Sequence, residues 1–225
     1  MNCFQSLRAW LGQSIVCIGT VLLTLSPSVA SAEVWAYTDL PPTGSLQGYT
    51  GSLGMDFIVN SKISVTSLGA FNPFGTGSFH NDIRVGIFDL AGNLQGSSVT
   101  FAANTTYNFV LGSYDVYQTI SPILLNPGSY SVVALGYSPA DPNGNLGNGS
   151  SPPSLLNDGG GIISFTGGGR YGNASFTLPG TIDSGPVNRY DAGTFEFTTP
   201  EPGTFVLAVG VLGLAGAIRR RRTCR

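Results

Sequence analysis

Cysteine is almost missing from this chain. Of its 225 residues three are cysteine, and all stand near an end, at Cys3, Cys17 and Cys224. Residues 33–199 have none, so this stretch holds no disulfide framework, thiol nucleophile or cysteine metal site and tolerates an oxidising exterior. Histidine is reduced to His80. One imidazole without cysteine argues against zinc, which takes three or more N, S or carboxylate ligands. A Ser–His–carboxylate triad would have to use His80. Ser78 and Asp82 are near it in sequence, but proximity along a loop does not give triad geometry, and no G-x-S-x-G elbow occurs. Basic residues are scarce between 33 and 199: Lys62, Arg84, Arg170 and Arg189 face a larger number of acids. The overall charge of −2 therefore hides an acidic middle offset by an arginine-rich end. An acidic body without a basic face lacks the groups that release counterions from phosphates, which argues against nucleic acid as a partner.

The two ends are built differently from the middle. Residues 1–8 are short and weakly basic, residues 9–25 mostly apolar, and Ser26-Pro27 breaks the run. Ala30-Ser31-Ala32 then supplies the small residues that signal peptidase requires, so 1–32 is expected to be a signal helix, with Ala30 and Ala32 setting cleavage and Glu33 the new N-terminus. A retained anchor and a lipid attached at Cys17 are the alternatives; the proline and the A-x-A site argue against the first, Val16 before the cysteine against the second. At the other end Pro200-Glu201-Pro202 precedes the apolar run FVLAVGVLGLAGAI, followed by Arg219, Arg220, Arg221 and Arg222. A helix over that run would span roughly 21 Å, short of the ~30 Å hydrocarbon core, and the arginines would hold its end on the cytoplasmic side.

This order of Pro-Glu-Pro, a short glycine-containing apolar helix and a basic cluster resembles the PEP-CTERM sorting signal. The resemblance covers about the last 25 residues. It implies a Gram-negative host that makes extracellular polysaccharide. It also implies recognition at Pro200, Glu201 and Pro202 by an exosortase, a membrane-embedded transpeptidase-like enzyme that removes the tail. Exosortase and signal peptidase would then be processing partners, and the inner membrane a transient one. The alternative is an ordinary single-pass C-terminal anchor. In either case the body faces away from the cytoplasm.

Between the ends, roughly 165–170 residues can build one ordinary core. No helical period appears; short β-favouring runs are punctuated by Gly, Pro and Asn. Strands are expected over 34–38, 53–59, 63–71, 83–89, 95–101, 107–111, 117–125, 130–137, 162–165, 174–178 and 194–198. Alternation puts Val85 and Ile87 on one face, and Tyr130, Val132 and Ala134 on another. Ala91-Gly92-Asn93 is expected to turn a hairpin, and Asn126-Pro127-Gly128 to form a type II turn. Gly167-Gly168-Gly169-Arg170 reads as a turn. Residues 139–161, rich in Asn, Gly and Pro, read as a long polar loop. The expected fold is all-β: an antiparallel sandwich or jelly roll in one domain over 33–199, followed by a sorting tail over 200–225. The runs GSLGMDFIV, IRVGIFDLAGNL and LLNPGSYSVVA also resemble an uncharacterised β-sandwich domain of bacterial surface proteins, which implies a fold and no catalytic residues.

The body offers few leads to chemistry. Asp141, Asn143 and Asn145 have the spacing that opens a calcium loop. Position six is Leu146 and position twelve Pro152, so an EF-hand is excluded and only a looser oxygen cage is left. The acids form no motif-flagged pair for glycoside hydrolysis. Aromatic rings could stack on sugars: Trp35, Tyr37, Tyr49, Phe71, Phe74, Phe79, Tyr114, Tyr117 and Tyr137 are candidates, with Phe74, Phe79 and Tyr114 expected to be exposed in loops. The sequence thus points to an exported, non-catalytic surface or matrix protein without a cofactor, with carbohydrate binding to exopolysaccharide or, less favoured, glycan hydrolysis as alternatives.

Overall fold

A computed structural model describes residues 32–39, 45–109, 112–145 and 154–199. The strands run in chain order as β1 (Val34–Trp35), β2 (Tyr37–Asp39), β3 (Ser45–Gln47), β4 (Leu53–Val59) and β5 (Ile63–Phe71). Next come β6 (Ile83–Asp89), β7 (Leu94–Phe101), β8 (Asp115–Leu125), β9 (Gly128–Leu135) and β10 (Asn143–Asn145). The last are β11 (Ser154–Leu156), β12 (Ile163–Tyr171), β13 (Thr181–Ile182), β14 (Tyr190–Asp191) and β15 (Gly193–Thr198). The structure is all-β with antiparallel sheets, and the described residues include no helix long and apolar enough to cross a membrane. The expected signal helix, apart from Ala32, and the expected C-terminal helix lie outside the described residues.

Two larger sheets face one core. One has the order β1-β15-β5-β8, the other β13-β12-β4-β9-β6-β7. Strand alternation fills the space between them: Leu53, Met55, Phe57 and Val59 of β4 all point inward, as do Val85 and Ile87 of β6 and Tyr130, Val132 and Ala134 of β9. Phe57 meets Phe195 of β15 with ring centroids 4.6 Å apart, joining the two sheets. Burying one such side chain contributes about 1.5–3 kcal/mol.

On β5 the inward set shifts from Ile63 and Val65 to Leu68 and Ala70, a change of parity. A bulge between Val65 and Ser67 accounts for it, since one extra residue reverses the faces. The same irregularity lets the edge strand β8 carry Pro122, which has no N–H for a ladder. Edges β7 and β8 of the two sheets close one flank, where Gln118 Nε2 donates to Thr100 O at 3.0 Å.

Several local expectations are corrected. Asn126-Pro127-Gly128 joins strands of different sheets, and Gly128 is absent from the glycines with positive φ, so the turn is not type II. Residues 174–178 form no strand. They lie across the outer face of the six-stranded sheet, with the Phe176 ring 5.3 Å from Phe88 and under the Arg84 guanidinium at 4.2 Å. Gly167-Gly168-Gly169-Arg170 falls inside β12, where a bulge between Phe165 and Gly169 absorbs the left-handed Gly167 (φ 76°). Of residues 107–111, only a single bridge, Phe109 to Val116, is formed among those described. The 139–161 stretch is not wholly loop. Asn143–Asn145 is buried strand pairing with β3 and β14, and Ser154–Leu156 pairs with β2. Long-range backbone bonds, not local propensity, make those strands.

Candidate functional site

The small sheet β14-β10-β3 stands against the β12–β13 corner of the six-stranded sheet and leaves a crevice of about 250 Å³. Gln47 and Tyr49 line it from the end of β3, Tyr171 from the end of β12, Asp183 from beyond β13, and Arg189 and Tyr190 from β14 and the residue before it. Gly169 permits this packing: a Cβ there would meet the Tyr190 ring at 3.1 Å.

A polar network fixes the walls. Arg189 donates through Nε to Asn145 Oδ1 at 2.6 Å and through Nη1 to Asp183 Oδ2 at 2.8 Å. Asn145 Nδ2 donates to Gln47 Oε1 at 2.6 Å. Asp183 also accepts from Gly185 N at 2.8 Å and from the Tyr190 hydroxyl. Burial opposes ionisation of Asp183, but the Tyr190 and Gly185 hydrogen bonds and the Arg189 charge outweigh it and hold its carboxyl below the usual range. Burial, with the Asp183 carboxylate, pushes the Tyr190 phenol up. Tyr49 is set by a 2.7 Å bond from its hydroxyl to Gly172 O, and its ring meets Tyr171 edge-on at 6.2 Å.

The calcium candidates separate. Asp141, with its side chain 1 % exposed, accepts from His80 N at 2.9 Å, Asn81 N at 2.7 Å and Asn81 Nδ2 at 2.8 Å, and lies 3.0 Å from His80 Nδ1. Burial alone would raise its pKa, but the hydrogen bonds from His80 and Asn81 prevail and lower it. Asn143 Nδ2 binds Gly144 O at 2.8 Å, and Asn145 belongs to the crevice network. The three form no common cage. Among the described residues no group of three or more His, Cys, Asp or Glu is placed to hold a metal ion. His80 is tied to Asp141, far along the chain, while Asp82 caps Ala103 N at 2.8 Å.

The aromatic expectations divide similarly. Phe74 is exposed, but Phe79 is buried in the core and Tyr114 is half-buried against Phe109, so the three do not make one platform. Tyr171, at the end of β12, is not among the aromatic candidates of the sequence, and no local signal marks it.

The two ends of the described body meet at one ladder. Ala32 is exposed, and β1 pairs with β15 in the register Val34↔Phe197 and Trp35↔Glu196. Glu33 therefore begins beside the end of β15. Ser67 Oγ donates to Glu196 Oε2 at 2.8 Å. Burial, with the neighbouring Glu33 carboxylate, raises the pKa of Glu196. Ala30, Pro200, Glu201, Pro202 and Arg219, Arg220, Arg221 and Arg222 lie outside the described residues.

Residues 198–222 match the PEP-CTERM protein-sorting motif. The match begins on Thr198, the last residue of β15, so the motif follows the folded body directly. It marks an exported protein that is processed at the membrane by exosortase. No curated protein matches the chain.

Proposed function

We propose that the chain is a surface or extracellular-matrix protein of a Gram-negative bacterium whose β body acts without catalysis. Signal peptidase cuts after Ala32, the tail holds the body briefly at the inner membrane, and exosortase acts at Pro200, Glu201 and Pro202, leaving the body outside the cell. Phe205–Ile218 provides insertion and Arg219–Arg222 orientation. The observation that carries this reading is the sorting-motif match starting where β15 ends.

Support for a non-catalytic body comes from what its acids hold. Asp56 takes Arg170 Nε at 2.7 and 2.8 Å across β4 and β12. Asp141 ties two connections, and Asp183 secures the crevice wall. Each of these three carboxylates braces structure. Exopolysaccharide is the partner class this location offers.

The test is to replace Pro200-Glu201-Pro202 by alanines in the producing bacterium and weigh the mature protein. The expected product keeps its tail and stays with the membrane fraction. An unchanged processed mass would count against motif-directed cleavage.

A further inference from the structure

The sorting signal does not account for the crevice beside β14. We infer that the crevice binds one uncharged sugar unit, received between the Tyr49–Tyr171 pair and the pinned Arg189–Gln47 wall. This goes beyond the sorting reading and rests on its placing the body outside the cell, where glycans are met.

Size comes first. A volume of about 250 Å³ lies below the range of about 300–1,000 Å³ usual for drug-sized ligands and suits a single small ring. Chemistry narrows the class. A sugar ring offers apolar C–H faces, and hydroxyls that both donate and accept. Aromatic rings suit the former, and fixed planar polar groups the latter. Tyr171 is 37 % exposed at the rim, so its ring is accessible. The network uses Arg189 Nε and Nη1 and Gln47 Oε1. Among the described residues this leaves Arg189 Nη2, Gln47 Nε2 and the Tyr171 hydroxyl without hydrogen-bond partners. Arg189 and Gln47 are held by Asn145, Asp183 and the β3–β10 ladder before any ligand arrives, so little ordering is required on binding.

Charge selects among sugars. The ionised Asp183 carboxylate lies 2.8 Å from Arg189 Nη1 and cancels its charge within the crevice. The surrounding body is acidic. A uronate or sulfated sugar would meet a neutral site in a negative field, which disfavours it; an uncharged pyranose loses nothing.

The experiment uses the processed protein isolated from producing cells, titrated with methyl glycosides of glucose, galactose, mannose and N-acetylglucosamine, and with glucuronate, by ligand-observed NMR. At least one uncharged glycoside is expected to saturate with a Kd of about 1–10 mM, fitting so few contacts. Tyr171→Ala is expected to weaken it at least tenfold. Tyr171→Phe keeps the ring and is expected to lose about threefold; its thermal midpoint should match that of the parent, which serves as the folding control. Absence of saturation with every uncharged glycoside up to about 50 mM, binding that survives Tyr171→Ala, or tighter binding of glucuronate would each overturn the inference. Tail processing, read by mass on the same samples, is independent of Tyr171, so a failure here leaves the sorting reading intact.

Discussion

Replacing Asp141 by alanine removes the carboxylate that ties the β5–β6 connection to the chain leaving β9. The side chain is 1 % exposed and receives hydrogen bonds from the His80 and Asn81 amides and from the Asn81 side chain. Each buried donor left without a partner costs about 1–3 kcal/mol. Two backbone donors and one amide are freed, all in part-buried bonds, so each counts near the low end of that range and Asp141→Ala is worth about 3–5 kcal/mol, a large share of the ~5–15 kcal/mol that holds a domain together. With a urea slope near ~2 kcal/mol/M, the midpoint should fall by about 2 M, read by intrinsic fluorescence on the processed protein. Asp141→Asn keeps one acceptor and should lose about half as much. The folded-state pKa of Asp141 is lowered, so its contribution is complete above the unfolded carboxylate value of about 4 and is lost as pH falls through the lower folded value. The gap between parent and alanine variant should accordingly shrink in strong acid. A loss under about 1 kcal/mol at neutral pH, or a gap indifferent to acid, would refute the reasoning.

Two glycines of the β6–β7 hairpin separate strain from packing. Gly96 has φ 61° and a Cβ there would meet Ile123 at 2.7 Å, whereas Gly92 has φ 91° with nothing within 4 Å. Gly92→Ala should cost about 1 kcal/mol and Gly96→Ala about 2–3; equal midpoints in denaturant would contradict the close approach of β7 to β8. Phe176→Ala should cost about 1–2 kcal/mol by uncovering Phe88 and Arg84, measured as a drop in thermal midpoint with the fold retained. Glu196 has a raised folded pKa, so its stabilising protonated form is lost as pH rises through that value. Glu196→Gln should thus be more stable than the parent at pH 7 and lose that advantage on titration towards pH 4; a disadvantage at pH 7 would show that the charge is better solvated than its burial implies.

The main strands were legible because their signal is local. β4, β5 and β6 have the expected bounds, since alternation of Leu53, Met55, Phe57 and Val59, for example, needs only one buried face. β3, β10 and β14 carry no such pattern. Asn143-Gly144-Asn145 is a turn sequence, and becomes strand only because Gln47 and Asp191 belong to strands lying on either side. The crevice fails to show for the same reason: its walls come from residues as far apart as Gln47 and Tyr190, joined by no spacing rule. The acids mislead in the opposite sense. Asp141, Asn143 and Asn145 are close in sequence and yet serve three different connections.

The pairing of β1 with β15 has a mechanical meaning. The first strand runs antiparallel to the last, and Val34 lies opposite Phe197. Chain ingress and egress of the described body thus share a corner. A force applied at either end of the described body enters through this same ladder. The extremities of the described body are neighbours, close enough for a short peptide to circularise it.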